Sequence, residues 1–130
     1  MTVRARIDFK GLEEWLLRLS EAGADVNASA ARAINAGQDV ALAGMVRRVP
    51  KDTHNLELHL VKTAVQQDGN FVYGEVGLIG ADAETARYGN AQEYGKANMA
   101  AQPYVRPTMD ADKRKIRKAM RDSLKADGTL

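Results

Sequence analysis

All three prolines of the chain fall in two short segments, Val49-Pro50-Lys51-Asp52-Thr53 and Ala101-Gln102-Pro103-Tyr104-Val105-Arg106-Pro107. Proline has no backbone N–H, fixes φ, and pushes the residue before it out of the helical region. Pro50 therefore ends any helix that precedes it. Pro103 and Pro107 frame an aromatic and an arginine in a stiff approach to a final helix. Neither segment carries catalytic chemistry, which directs the reading towards architecture and assembly.

Between these points the hydrophobic period changes several times. Val3, Ala5, Ile7 and Phe9 alternate with charged residues, the pattern of a half-buried strand, and Gly11 breaks it. Leu12, Trp15, Leu16 and Leu19 then recur at helical spacing up to about Gly23. Asp25 or Asn27 caps a second, longer helix that runs to Val49, with the stripe Val26, Ala30, Ile34, Gly37, Ala41, Met45 and Val49. Alanines and the glycines Gly37 and Gly44 crowd this helix. A glycine inside a helix costs about 1 kcal/mol relative to alanine. Either a neighbouring helix, sheet or subunit packs closely there, or the segment is simply an alanine-rich helix; both readings stand.

Beyond the Lys51–Asn55 loop, residues 56–67 read as an extended stretch whose parity changes after Leu60, as a bulge or a short turn would produce. Asp68-Gly69-Asn70 signals a hairpin. The return strand, 71–79, is apolar on both faces, which predicts cover on both sides. Residues 81–94 suggest a weak helix interrupted at Gly89, and 95–102 a mobile loop of small and polar residues. The last helix spans about 107–126 with Met109, Ile116, Ala119, Met120 and Leu124 on one stripe, followed by a tail at 126–130. The expected fold is α+β in one domain, 1–130: a small antiparallel sheet with the Ala-rich helix and the C-terminal helix packed on it.

No cysteine is present, so disulfides and thiolate metal sites are excluded. No apolar run approaches the roughly 20 residues of a membrane span, and no apolar segment of a secretory signal follows the basic N-terminus. His54 and His59 are the only histidines and lack the further ligands a zinc site needs. Ser20, Ser29 and Ser123 have no nucleophile-elbow context, and Gly74, Gly77 and Gly80 sit within a strand rather than in a phosphate loop. These features predict no catalytic residue, no metal and no cofactor.

Charge concentrates in the last helix, where residues 106–125 hold eight bases and three acids. Lys113, Arg114, Lys115, Arg117, Lys118 and Arg121 could face phosphates or a partner, in a salt-dependent and sequence-independent way. The simpler reading is a solvated face with acids near the helix start and bases towards its end.

The segments Phe9-Lys10-Gly11-Leu12, Val49-Pro50-Lys51-Asp52-Thr53-His54-Asn55-Leu56, Gln92-Glu93-Tyr94-Gly95 and Ala101-Gln102-Pro103-Tyr104-Val105-Arg106-Pro107 occur in that order. In this the chain resembles the tail-component or head–tail joining family of long-tailed bacteriophages and prophages. Members carry "F-x-G-L", "V-P-x-D-T-G-x-L", "E-F/Y-G" and "Q-P-F/Y-x-R-P" in register; His54 departs from the pattern, standing where the family has glycine. The resemblance implies helices on an antiparallel sheet and a structural, non-enzymatic role without cofactor in a ring of identical subunits at the neck or tail end. Partners would be further copies, neighbouring neck or tail-tube proteins and passing DNA, without a membrane. The location would be the virion, and the host cytoplasm during assembly. Candidate assembly positions are Gly37, Gly44, Pro50, Asp52, Thr53, Glu93, Tyr94, Gly95, Pro103, Tyr104, Arg106 and Pro107. The alternative is a small non-enzymatic nucleic-acid-binding protein using the basic helix 106–125.

Overall fold

An eight-residue strand, β4 (Phe71–Leu78), organises the sheet. The structure, a computed structural model, describes residues 3–21, 25–51, 55–68 and 71–128. β1 (Arg4–Ile7) runs antiparallel to β4 with Ala5 opposite Val76 and Ile7 opposite Gly74. β2 (Leu60–Lys62) and β3 (Gln66–Asp68) also pair antiparallel with β4, placing Leu60 opposite Leu78 and Asp68 opposite Phe71. Lys62 faces Val76 while Gln66 faces Tyr73, so one extra residue is accommodated between the two short strands. Gln38 reaches this break from below, and its amide donates to the carbonyls of Thr63 (3.0 Å) and Glu75 (3.2 Å). Gly69 and Asn70 of the expected hairpin turn lie outside the described residues.

The helices are α1 (Glu13–Glu21), α2 (Val26–Arg48), α3 (Asn55–His59), α4 (Ala83–Tyr94), α5 (Val105–Ala111) and α6 (Lys113–Gly128). Asp25 caps α2 by accepting from the Ala28 N–H at 3.2 Å. One face of α2 packs on the sheet and another on α6. The core combines Ile7, Ile34, Met45, Val76, Leu78, Ile116, Met120 and Leu124, all buried. Each such side chain contributes about 1.5–3 kcal/mol of burial. The fold is α+β, with the long helix and the C-terminal helix packed as expected.

Five expectations need correction. Leu56 and Leu58 belong to the short helix α3 rather than to a strand; the Asn55 amide donates to the Thr85 hydroxyl at 3.1 Å and Leu56 is buried. The strand β4 is packed by α2 on one face, but its other face bears the Arg4–Glu75 ion pair at 3.2 Å and Arg6 stacked over the Tyr73 ring at 4.1 Å. Long side chains of β1, rather than a further layer, accompany Tyr73 there. Helix α4 runs unbroken through Gly89, where a Cβ would come within 2.0 Å of Leu78 and 2.9 Å of the Tyr104 hydroxyl; the glycine is a slot for these side chains. The last helix starts at Val105 and is divided at Asp112, whose carboxylate is turned to arginines of α2. The expected tail is helical as far as Gly128, and Asp127 accepts from Arg32 of α2 at 2.8 Å.

Candidate assembly surfaces

Two of the family-like motifs form one bonded unit. Tyr104 occupies the N-cap position just before α5 and supplies no capping side chain of its own. Glu93, eleven residues earlier on α4, caps it instead. One carboxylate oxygen accepts from the N–H groups of Tyr104 and Val105, both at 2.8 Å. The other accepts from Arg106 N–H at 3.0 Å and Arg106 Nε at 2.9 Å, and the Arg106 guanidinium also donates to the Glu93 carbonyl. Burial raises the Glu93 pKa, but the amides of Val105, Tyr104 and Arg106 and the guanidinium outweigh it, so the carboxyl is held below its usual range. Tyr104 is buried with its hydroxyl donating to the Gly89 carbonyl at 3.0 Å, and burial pushes its phenol pKa up.

The segment expected to be a mobile loop is closed by this clasp. Gly95 ends α4 with φ 75° and ψ −179°, a combination open to glycine alone. Lys96 and Met99 exchange two backbone hydrogen bonds of 3.0 Å, and Gln102 N–H donates to the Gln92 carbonyl at 2.6 Å. The side chains of 96–98 and 100–102 remain exposed. The anchors are backbone groups, which side-chain composition does not reveal.

A second seam joins α2 to α5 and α6. A Cβ on Gly44 would lie 2.4 Å from an Asp112 oxygen and 2.7 Å from the Thr108 methyl; one on Gly37 would lie 2.9 Å from Ile7 and 3.0 Å from Met120. Both glycines expected at a subunit interface are thus buried within the chain, where its own helices and β1 supply the close neighbour. Asp112 accepts from Arg48 at 2.8 Å and Arg47 at 2.9 Å, and the Arg48 hydrogen bond leads the effects that lower its pKa.

The other expected positions divide by exposure. Glu93 and Tyr104 are core residues, Pro50, Pro103 and Pro107 are half-buried, and Tyr94 and Arg106 are exposed with the guanidinium 4.8 Å from the ring centroid. Asp52 and Thr53 lie outside the described residues, as does His54. Lys113, Arg114, Lys115 and Lys118 are exposed, and Arg117 and Arg121 half-buried. Lys118 is paired with Asp122 at 2.6 Å. Lys113 and Arg117 meet Arg6 and Lys10 across a groove of about 410 Å³ between β1, α5 and α6. This convergence of two distant basic segments has no signal in the sequence.

Among the described residues there is no group of three or more histidine or acidic side chains placed to hold a metal, and no helix long and apolar enough to cross a membrane. Set against models of known protein families, curated protein sequences and solved structures, the chain gives no significant match in any of the three.

Proposed function

We propose that this chain is a structural virion protein, a tail-completion or head–tail joining subunit of a long-tailed phage or prophage. It acts without enzymatic chemistry or cofactor by assembling into a ring at the neck or tail end. The supporting observation is the bonded clasp between Gln92-Glu93-Tyr94-Gly95 and Gln102-Pro103-Tyr104-Val105-Arg106. Two motifs that carry the resemblance are one physical unit, which makes their joint occurrence more telling than either alone. Its surface presents Tyr94 and Arg106 beside the turn that runs from Lys96 to Gln102.

The test is deletion of the gene in the phage or prophage that carries it, followed by electron microscopy of the particles. The expected result is separate heads and tails or unfinished tails, restored by the intact gene. Normal particles would remove this reading.

A second reading, a non-enzymatic nucleic-acid-binding protein, gains from the groove, where Arg6 and Lys10 add a second basic element to α6. The free chain should then bind duplex DNA tightly at physiological salt. Under the structural reading it binds weakly, without sequence preference, and loses affinity steeply as salt rises.

A further inference from the structure

We propose that the open edge of β1, with the groove beside it, receives an extended strand of a partner polypeptide in which apolar and acidic residues alternate. The proposal stands on the sheet edge and the groove and does not depend on the virion role.

The main-chain pairing of β1 leaves one side of that strand unused. Leu78 N–H donates to the Val3 carbonyl at 2.8 Å, and the register continues with Ala5 opposite Val76 and Ile7 opposite Gly74. Alternate residues of an antiparallel strand bond to the same neighbour, so Val3, Ala5 and Ile7 turn their N–H and C=O groups to β4. Arg4 and Arg6 turn theirs the other way. β1 is the outermost strand on that side, and no described residue donates to or accepts from the main chain of Arg4 or Arg6 there. Unpaired groups in a row at a sheet edge are a template for a further strand.

Charged side chains at an edge ordinarily discourage such pairing. Here they are drawn back across the sheet. Arg4 is ion-paired with Glu75 at 3.2 Å, and Arg6 lies over the Tyr73 ring at 4.1 Å. Both partners belong to β4, on the side of β1 away from the open edge. The guanidiniums therefore lean over the outer face of the sheet rather than along the edge.

The groove decides what the added strand should carry. Side chains of that strand alternate between the two faces of the sheet. One row falls on the side of Ile7, where Met109, Ile116 and Met120 give the groove an apolar floor. The other row falls beside Arg4 and Arg6 on the outer face, and Arg6 has no carboxylate partner among the described residues. Lys10, Lys113 and Arg117 also line the groove, against Asp8 and Asp110. An apolar row with an acidic row complements both sides. A second copy offering its own β1 fits poorly. The antiparallel register that uses the free groups of both strands sets Arg4 opposite Arg6 twice, and like charges directly opposite are destabilising.

The probe is a short peptide, blocked at both ends, in which valine alternates with glutamate. NMR titration and amide hydrogen exchange of the labelled chain follow its binding. In the free chain the amides of Ala5 and Ile7 should be protected and those of Arg4 and Arg6 should exchange freely. Saturating peptide should slow Arg4 and Arg6 about tenfold or more. In the bound register the glutamates lie opposite Arg4 and Arg6, so their N–H groups face β1 and those of the valines face away. Methylating the glutamate nitrogens should weaken binding about tenfold or more, whereas methylating the valine nitrogens should change it far less. Arg6→Pro removes an edge donor that the β1–β4 pairing does not use, and should bind about tenfold more weakly than Arg6→Ala, which keeps that donor. Circular dichroism checks that both variants fold, and the methylated peptides decide the matter if Arg6→Pro does not. Replacing glutamate by lysine in the peptide should also weaken binding. Protected Arg4 and Arg6 amides in the free chain, no slowing with peptide, equal binding of the two methylated peptides, equal binding by the two Arg6 variants, or a lysine peptide that binds as well would each overturn the proposal. Protection that appears without peptide as the chain's concentration rises would assign the edge to a second copy and overturn it too. None of these outcomes decides the virion role, which depends on the particles made by the deletion strain.

Discussion

Among the described residues, the buried charged side chains are the carboxylates Glu93 and Asp112, which are satisfied in different ways. Glu93 is held chiefly by main chain: three consecutive amides at the start of α5 donate to it, and Arg106 completes the set. Asp112 is held by side chains from far along the sequence, the guanidiniums of Arg47 and Arg48 on α2. The partners differ in their access to water. Tyr104 and Val105 are buried, whereas the Arg47 side chain is 54% exposed and that of Arg48 26%. Removing Glu93 leaves buried amides with no acceptor; removing Asp112 leaves arginines that can turn to solvent. Similar burial therefore implies unequal dependence, because the penalty for a lost hydrogen bond falls on whichever group cannot rehydrate.

The sharpest check is Glu93→Ala, which should lower unfolding stability in urea by about 3–5 kcal/mol. Hydrogen exchange should show the amides of Tyr104, Val105 and Arg106 losing protection together. A loss no larger than that of Asp112→Ala would break the distinction. Gly44→Ala comes next, at about 2–3 kcal/mol, because its Cβ would displace the Asp112 carboxylate. Gly37→Ala should cost about 1–2 kcal/mol: the flexible Met120 side chain can yield, but the stiff β-branched Ile7, whose methyl would lie 2.9 Å away, must shift as well. Asp112→Ala follows at about 1–3 kcal/mol. In the double variant with Gly44→Ala the losses should not add, because the first change has already disturbed the ion pair.

Acid should probe both carboxylates. Each has its folded pKa lowered, so the unfolded chain binds more protons in that range. Their stabilisation is present above the ordinary carboxylate range and is lost as pH falls through the folded values. Stability measured in urea should therefore decline as pH drops below about 4.5, and Glu93→Ala should flatten that decline. An unchanged slope would count against a charged Glu93. The smallest effect belongs to Lys115→Glu/Lys118→Glu, on exposed positions of α6, which should change stability by less than about 0.5 kcal/mol. A larger loss would show that the basic face supports the fold.

What the sequence determined by itself was local. The alternation of Val3 to Phe9, the Asp25 cap, the buried stripe of α2, the hairpin pairing of Asp68 with Phe71 and the Ile116–Met120–Leu124 stripe all depend on neighbours a few residues away. Periodicity and capping read such relations directly. Tertiary structure decided the rest. Leu56, Leu58 and Leu60 alternate like a strand, yet α3 docks through Asn55 and Leu56 onto α4. Gly89 looks like a helix breaker until Leu78 and Tyr104 occupy its slot. The capping of α5 by Glu93, the break at Asp112 and the basic groove each join groups that only the folded chain brings together. A hydrogen bond or ion pair depends on distance in space, and that distance is set by packing rather than by separation along the chain.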